Sequence, residues 1–135
     1  KGVDLYEPDQ VDTSLGPAIE FADAVTRSVT FCRRWPWDIY GVAMDLVIAA
    51  DTANAGSFRV RVAYQINGGS ATNVDVTVTP GNNTALYTAA LGTIIAAAAL
   101  AAGDLITITL SRLGGDAADT HTGKMRLYQT RMKRV

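Results

Sequence analysis

Residues 57–66 alternate strictly between apolar and polar positions. Phe58, Val60, Val62, Tyr64 and Ile66 fall on one face; Arg59, Arg61, Ala63 and Gln65 fall on the other. Successive strand side chains point to opposite faces, so this run predicts a half-buried strand. Val74, Val76 and Val78 alternate with Asp75, Thr77 and Thr79 in the same way. Between the two runs, Asn67-Gly68-Gly69-Ser70 consists of residues that tolerate positive φ, which predicts a hairpin. The same period places Val42, Met44, Leu46 and Ile48 on one face of residues 41–50, and Ile106, Ile108 and Leu110 on one face of residues 104–111. Residues 27–34 form a shorter candidate with Val29 and Phe31 inward. Residues 124–132 form the last, with Met125 and Leu127 inward and the alternation lost beyond Gln129.

Residues 84–95 add one or two strands around Leu86, Tyr87, Leu91 and Ile94. Alanine favours helix, whereas Thr93, Ile94 and Ile95 favour strand. A strand ending near Ile95 and then a short helical turn before Gly103 is therefore expected. Seven to eight short strands separated by turn signals predict an all-β sandwich or barrel. Residues 1–17 show no period, and Pro8 and Gly16-Pro17 interrupt regular structure. They read as an extended N-terminal arm preceding a domain over residues 18–135.

The chain of 135 residues fits one domain and one core. Its apolar fraction of 48% and charged fraction of 19% argue against disorder. A net charge of −1 supplies no global field for nucleic acid or an anionic membrane. The opening segment has no apolar core of the signal-peptide kind. The longest apolar stretch, residues 93–102, is about half of a bilayer span. A soluble protein is expected, with no nucleic-acid and no membrane partner.

Charge is segregated along the chain. Residues 1–25 carry six acids and one base, net −5; residues 124–135 carry five bases and no acid, net +5. These ends either join, within one copy or between two, or remain two solvated segments whose exposed ion pairs are worth little.

One cysteine and one histidine exclude an internal disulfide, a cysteine-based zinc site and the usual multi-histidine metal sites. No nucleophile–base set can be built from them, so no enzyme, cofactor or metal is expected. Asp116 and Asp119 flank two alanines before His121, too few oxygens for a calcium loop. The segment reads as a polar hairpin loop in which Asp119 accepts backbone N–H bonds. Cys32 reads as a small strand residue with no base beside it. Asn82-Asn83-Thr84 reads as a turn after Pro80-Gly81.

The most distinctive stretch is Arg33-Arg34-Trp35-Pro36-Trp37-Asp38. Three readings stand: the tryptophans cap one end of the core, they anchor a protein interface together with the arginines, or they form a stacking platform for a ligand. Nine of the twelve basic residues are arginine, which suits fixed multidentate contacts. The interface candidates are Arg33, Arg34, Trp35, Trp37, Arg59, Arg61, Arg131, Lys133 and Arg134.

The run from Ala102-Gly103-Asp104 through Leu105–Arg112, followed by Asp116-Ala117-Ala118-Asp119-Thr120 and Gly123–Leu127, resembles the closing hairpin of small jelly-roll domains in tailed-bacteriophage virion proteins. The strand end at Trp35-Pro36 and the strand through Tyr64 are similar as well. The resemblance implies an antiparallel β-sandwich of jelly-roll type. It also implies a structural role as a capsid decoration (cement) protein on the virion surface, made in the bacterial host cytoplasm. The implied partners are the major capsid protein and further copies of the chain, as a dimer or trimer. A tail-fibre or baseplate module and a carbohydrate-binding β-sandwich are the alternatives.

Overall fold

The computed structural model describes residues 9–13, 16–36 and 40–135. Among the described residues nine strands run in chain order: β1 (Asp9–Thr13), β2 (Gly16–Phe21), β3 (Thr26–Arg34), β4 (Val42–Ala50), β5 (Phe58–Ile66), β6 (Thr72–Val78), β7 (Tyr87–Ile95), β8 (Leu105–Leu113) and β9 (Met125–Arg134). They form two antiparallel sheets, one ordered β1-β2-β9-β4-β7 and the other β3-β8-β5-β6.

The pairing is nested. β5 pairs β6 as a hairpin, and around it β4 pairs β7, β3 pairs β8 and β2 pairs β9. One long hairpin with its apex between β5 and β6 is thereby folded across two sheets, which is the jelly-roll arrangement. The apex is the hairpin that the sequence pattern marks most clearly. Asn67 (φ 52°) and Gly68 (φ 74°) supply its left-handed turn.

The core lies between the sheets. Val42, Met44, Leu46 and Ile48 from β4 meet Phe58, Val60 and Val62 from β5 and Ile106, Ile108 and Leu110 from β8, all fully buried or nearly so. The strand after Gly103 and the strand from Phe58 thus bury the faces that their alternation marks. β7 ends at Ile95 and a single 3-10 turn, Ala97–Ala99, follows.

Three sequence expectations change. The arm read over residues 1–17 is in part a sheet edge: β1 and the start of β2 pair as a hairpin from Asp9↔Glu20 to Thr13↔Gly16. An edge hairpin paired to the domain on one side needs no alternating apolar face, so its sequence carries no period. Residues 1–8 lie outside the described residues. Second, the blurred alternation after Gln129 is a β-bulge. Val47 pairs Gln129 and Ile48 pairs Leu127, so Tyr128 is the extra residue and the inward parity moves to Thr130 and Met132.

Third, the segregated charges meet within one chain. Glu20 lies 3.2 Å from Lys124 Nζ and 3.1 Å from Arg126 Nε. The register Glu20↔Arg126 between β2 and β9 places them there.

Candidate functional site

β2 and β9 stay paired only from Phe21↔Met125 to Ile19↔Leu127. Beyond Ile19, β2 runs towards its turn with β1, while β9 bulges at Tyr128. The strands part, and a cleft of about 440 Å³ opens between them. Its apolar lining is Ile19 and Leu127 from the parting strands and Val29 and Phe31 from β3 of the other sheet. Tyr128, Gln129 and Thr130 line the β9 side, and Pro17 and Ala18 close the β2 side. Among the described residues no ionisable acid or base lines it apart from the Tyr128 phenol.

At one end of the sandwich the core is held by a buried cation. Arg112 takes the next inward position on β8 after Ile106, Ile108 and Leu110, and its side chain is fully buried. Its Nε donates to Asp119 Oδ2 at 2.9 Å and its Nη2 to Asp119 Oδ1 at 2.7 Å. Nη2 also reaches Asp23 Oδ1 at 3.1 Å and the His121 carbonyl at 2.5 Å, and Nη1 reaches the Gly123 carbonyl at 2.7 Å and that of Phe21 at 3.3 Å. The guanidinium sits 4.8 Å above the Phe58 ring, and the His121 ring stacks on Phe58 at 4.3 Å. A buried charge is tolerable only when its donors are all met, and here two carboxylates and three carbonyls meet them.

The Asp119 carboxylate therefore holds Arg112 and not its own turn. Its Oδ2 also accepts the backbone N–H of Arg59 at 2.9 Å, tying the loop before β9 to the start of β5. The loop is polar as its sequence indicates, with Asp116 Oδ1 accepting the Ala118 N–H at 2.8 Å, but it closes no hairpin: β8 and β9 lie in different sheets, and the loop carries the chain from one to the other. The Gly123 N–H donates to His121 Nδ1 at 3.0 Å, which fixes the proton of the neutral ring on Nε2. Burial, and after it the Arg112 charge, lower the His121 pKa; Asp119, Asp51 and Asp23 oppose them.

The sequence-based interface candidates do not form one surface. Trp35 is 1% exposed and belongs to the core, so its indole is neither a contact anchor nor a stacking platform. Its backbone is clamped to the segment before β8 by Trp35 N to Asp104 O and Gly103 N to Trp35 O, each 2.7 Å. Trp37 lies outside the described residues.

Arg59 and Arg61 point outward from β5. Arg61 makes a two-pronged ion pair with Asp75 of β6 at 2.7 and 2.9 Å, and Arg59 Nη1 donates to Thr77 at 2.9 Å. Arg34 faces outward at the far end of β3, where it donates to the Gly103 carbonyl at 2.6 Å. The registers place Arg34 beside Leu105 and Arg27 beside Arg112 and Val60, so Arg34 and Arg59 stand at opposite ends of their sheet. Arg33 faces the other way, on the inward parity of β3 with Val29 and Phe31. On β9, Arg131 is exposed, Lys133 lies 2.9 Å from Asp45, and Arg134 covers the Tyr40 ring at 5.0 Å.

Cys32 is exposed on the outer face of β3 with its sulfur 3.4 Å from Thr107 Oγ1, while His121 is buried beneath Phe58 at the opposite end of the sandwich. The two are not brought together. Among the described residues no three metal-ligating side chains gather.

Solved structures match this chain. The structure of TmCBM61 in complex with β-1,4-galactotriose matches with a TM-score of 0.55 at 13% identity, covering 98% of this chain and 85% of that one. A family two carbohydrate esterase from Clostridium thermocellum with cellohexaose matches with a TM-score of 0.47 at 16% identity, over 97% of this chain and 32% of that chain. An exo-β-1,3-galactanase from Phanerochaete chrysosporium with galactose matches with a TM-score of 0.46 at 18% identity, over 89% of this chain and 26% of that chain. The likeness to TmCBM61 is one of fold. This chain spans no more than a third of the two enzymes. No family model matches the sequence, and no curated protein matches it.

Proposed function

We propose that this chain is a non-catalytic binding module and that the cleft between β2 and β9 takes a saccharide. The observation that carries this reading is the lining of the cleft. An apolar floor with Phe31 and a rim of Tyr128, Gln129 and Thr130 offers a sugar both surface for its C–H faces and partners for its hydroxyls. A volume of about 440 Å³ lies within the range of small-ligand sites and suits one or two sugar rings. The structure of TmCBM61, which shares the fold, is a complex with β-1,4-galactotriose.

Titration of the ¹⁵N-labelled protein with a panel of neutral and acidic mono- and oligosaccharides tests this reading. The backbone amides of Phe31 and residues 127–130 are expected to shift, and Y128A is expected to weaken binding while melting close to the parent. Failure of every sugar to shift these amides overturns the reading.

The run from Ala102 to Leu127 favours a second reading, a virion decoration protein bound to a major capsid protein as a homo-oligomer. The residues that carry that resemblance include Arg112, Asp119 and Gly123, which hold the fold together. Immunogold labelling of virions from the source culture tests it: label over the head supports it, and unlabelled particles overturn it.

A further inference from the structure

We infer that the sugar taken by the cleft is acidic, with its carboxylate held by Arg33; this rests on the saccharide reading above. Arg33 occupies a core-facing position of β3. It pairs Ile106, which is fully buried, just as Phe31 pairs Ile108. Side chains two residues apart on a strand share a face at a spacing of about 6.6 Å. Arg33 therefore stands next in line after Val29 and Phe31, the two β3 residues that floor the cleft.

Unlike those two, Arg33 is exposed. Among the described residues β2 pairs β9 only as far as Ile19 and begins at Gly16. Arg33 does not itself line the cleft; it stands one inward position beyond Phe31, where its charge can meet a ligand that extends past the floor. Arg33 makes no hydrogen bond or ion pair among the described residues, whereas Arg34, Arg61 and Arg112 each have partners. Among the described residues the cleft lining contributes no carboxylate that would neutralise it. A guanidinium presents parallel N–H donors that match a carboxylate in a planar, two-pronged contact. A ring stacked over Phe31 and Tyr128 with a carboxyl group directed along β3 satisfies the floor, the rim and the cation together. A neutral sugar leaves Arg33 unused.

The test compares sugars that differ only at C6. D-Galacturonate and D-galactose, and D-glucuronate and D-glucose, are titrated into the parent protein and into R33Q at low salt, with amide shifts as the readout. The acidic sugar of a pair is expected to bind about tenfold more tightly than its neutral partner, the usual effect of one charge-assisted contact. That preference should shrink as salt rises. In R33Q, whose melting temperature should match the parent because Arg33 is exposed and unpartnered, the two sugars should bind within about twofold of each other. Equal binding of acidic and neutral sugars by the parent overturns the inference and leaves the saccharide reading standing. A preference retained in R33Q also overturns it. Shifts confined to residues away from the cleft, or no shifts with any sugar, overturn both.

Discussion

Arg112 and Asp119 meet through two hydrogen bonds of 2.9 and 2.7 Å with neither side chain reaching solvent. Removing Asp119 leaves the buried Arg112 charge with only the half-exposed Asp23 carboxylate and backbone carbonyls against it. D119A is expected to destabilise the fold by about 3–5 kcal/mol, read from urea unfolding. A loss below about 1 kcal/mol would show that the pair is solvated in the native protein. The double replacement R112M/D119L should recover much of that loss, because it removes both charges and keeps apolar volume.

Acid should weaken the fold in two stages. His121 has its pKa lowered from 6.5, chiefly by burial, so the unfolded chain binds a proton before the native one does. Stability is full above pH 6.5 and falls as pH drops below it, towards the lowered native value. Protonation at Nδ1 would also set a second N–H against that of Gly123. The Asp75 carboxyl is held below its ordinary value by the Arg61 hydrogen bond, and that of Asp104 by the Ala101 N–H and then Asn67. Their contribution is present above pH 3.8 and disappears further into acid. In H121F the first stage should vanish from the melting temperature plotted against pH, and the second should remain.

Deleting Tyr128 removes the extra residue of the β9 bulge. Leu127 would then be followed by regular alternation that still points Thr130 and Met132 inward. The deletion variant is expected to fold, with a circular dichroism spectrum like the parent, and to lose saccharide binding because β9 no longer departs from β2. Binding retained at parental strength would place the ligand elsewhere.

Gly56 allows two loops to touch. A Cβ there would lie 2.5 Å from the Thr120 carbonyl oxygen and 2.7 Å from His121 Cα, both backbone atoms that cannot swing away. G56A should cost about 1–3 kcal/mol in urea unfolding through overpacking. An unchanged midpoint would mean that the loop before β9 shifts freely.

The Glu20 pairs with Lys124 and Arg126 are partly solvated, with Lys124 50% exposed. K124A should change stability by less than about 1 kcal/mol, and the effect should shrink further in 1 M salt. A larger, salt-independent loss would point to packing by the lysine stem.

Much of the sandwich was legible because local alternation encodes a strand buried on one side. The β5–β6 hairpin, β4, β8 and the turn after Ile95 follow from period and turn chemistry alone. Arg112 was missed, although it continues the even-numbered inward row of β8, because a charged residue argues against a core position unless its partners are known. The β1–β2 hairpin was not legible, because an edge held by backbone pairing imposes little pattern. Trp35 shows the limit of composition: a tryptophan beside two arginines has the makeup of a contact site, yet the indole fills the core. The cleft could not be read at all. It arises where two strands more than a hundred residues apart in sequence cease to run together, and no local pattern records that.

The nested topology fixes an order of events in synthesis. β9 is the last of these nine strands in chain order, yet it lies in the middle of its sheet, between β2 and β4. Until Arg134 has left the ribosome, β1-β2 and β4-β7 are two separate ribbons, each with a bare edge awaiting the same strand. The apex hairpin, built from near neighbours, can close early; the pairing of β2 with β9 must wait for both ends of the domain. This domain therefore finishes folding only after its translation, and a nascent chain stalled before residue 125 presents two unpaired strand edges to whatever surrounds it.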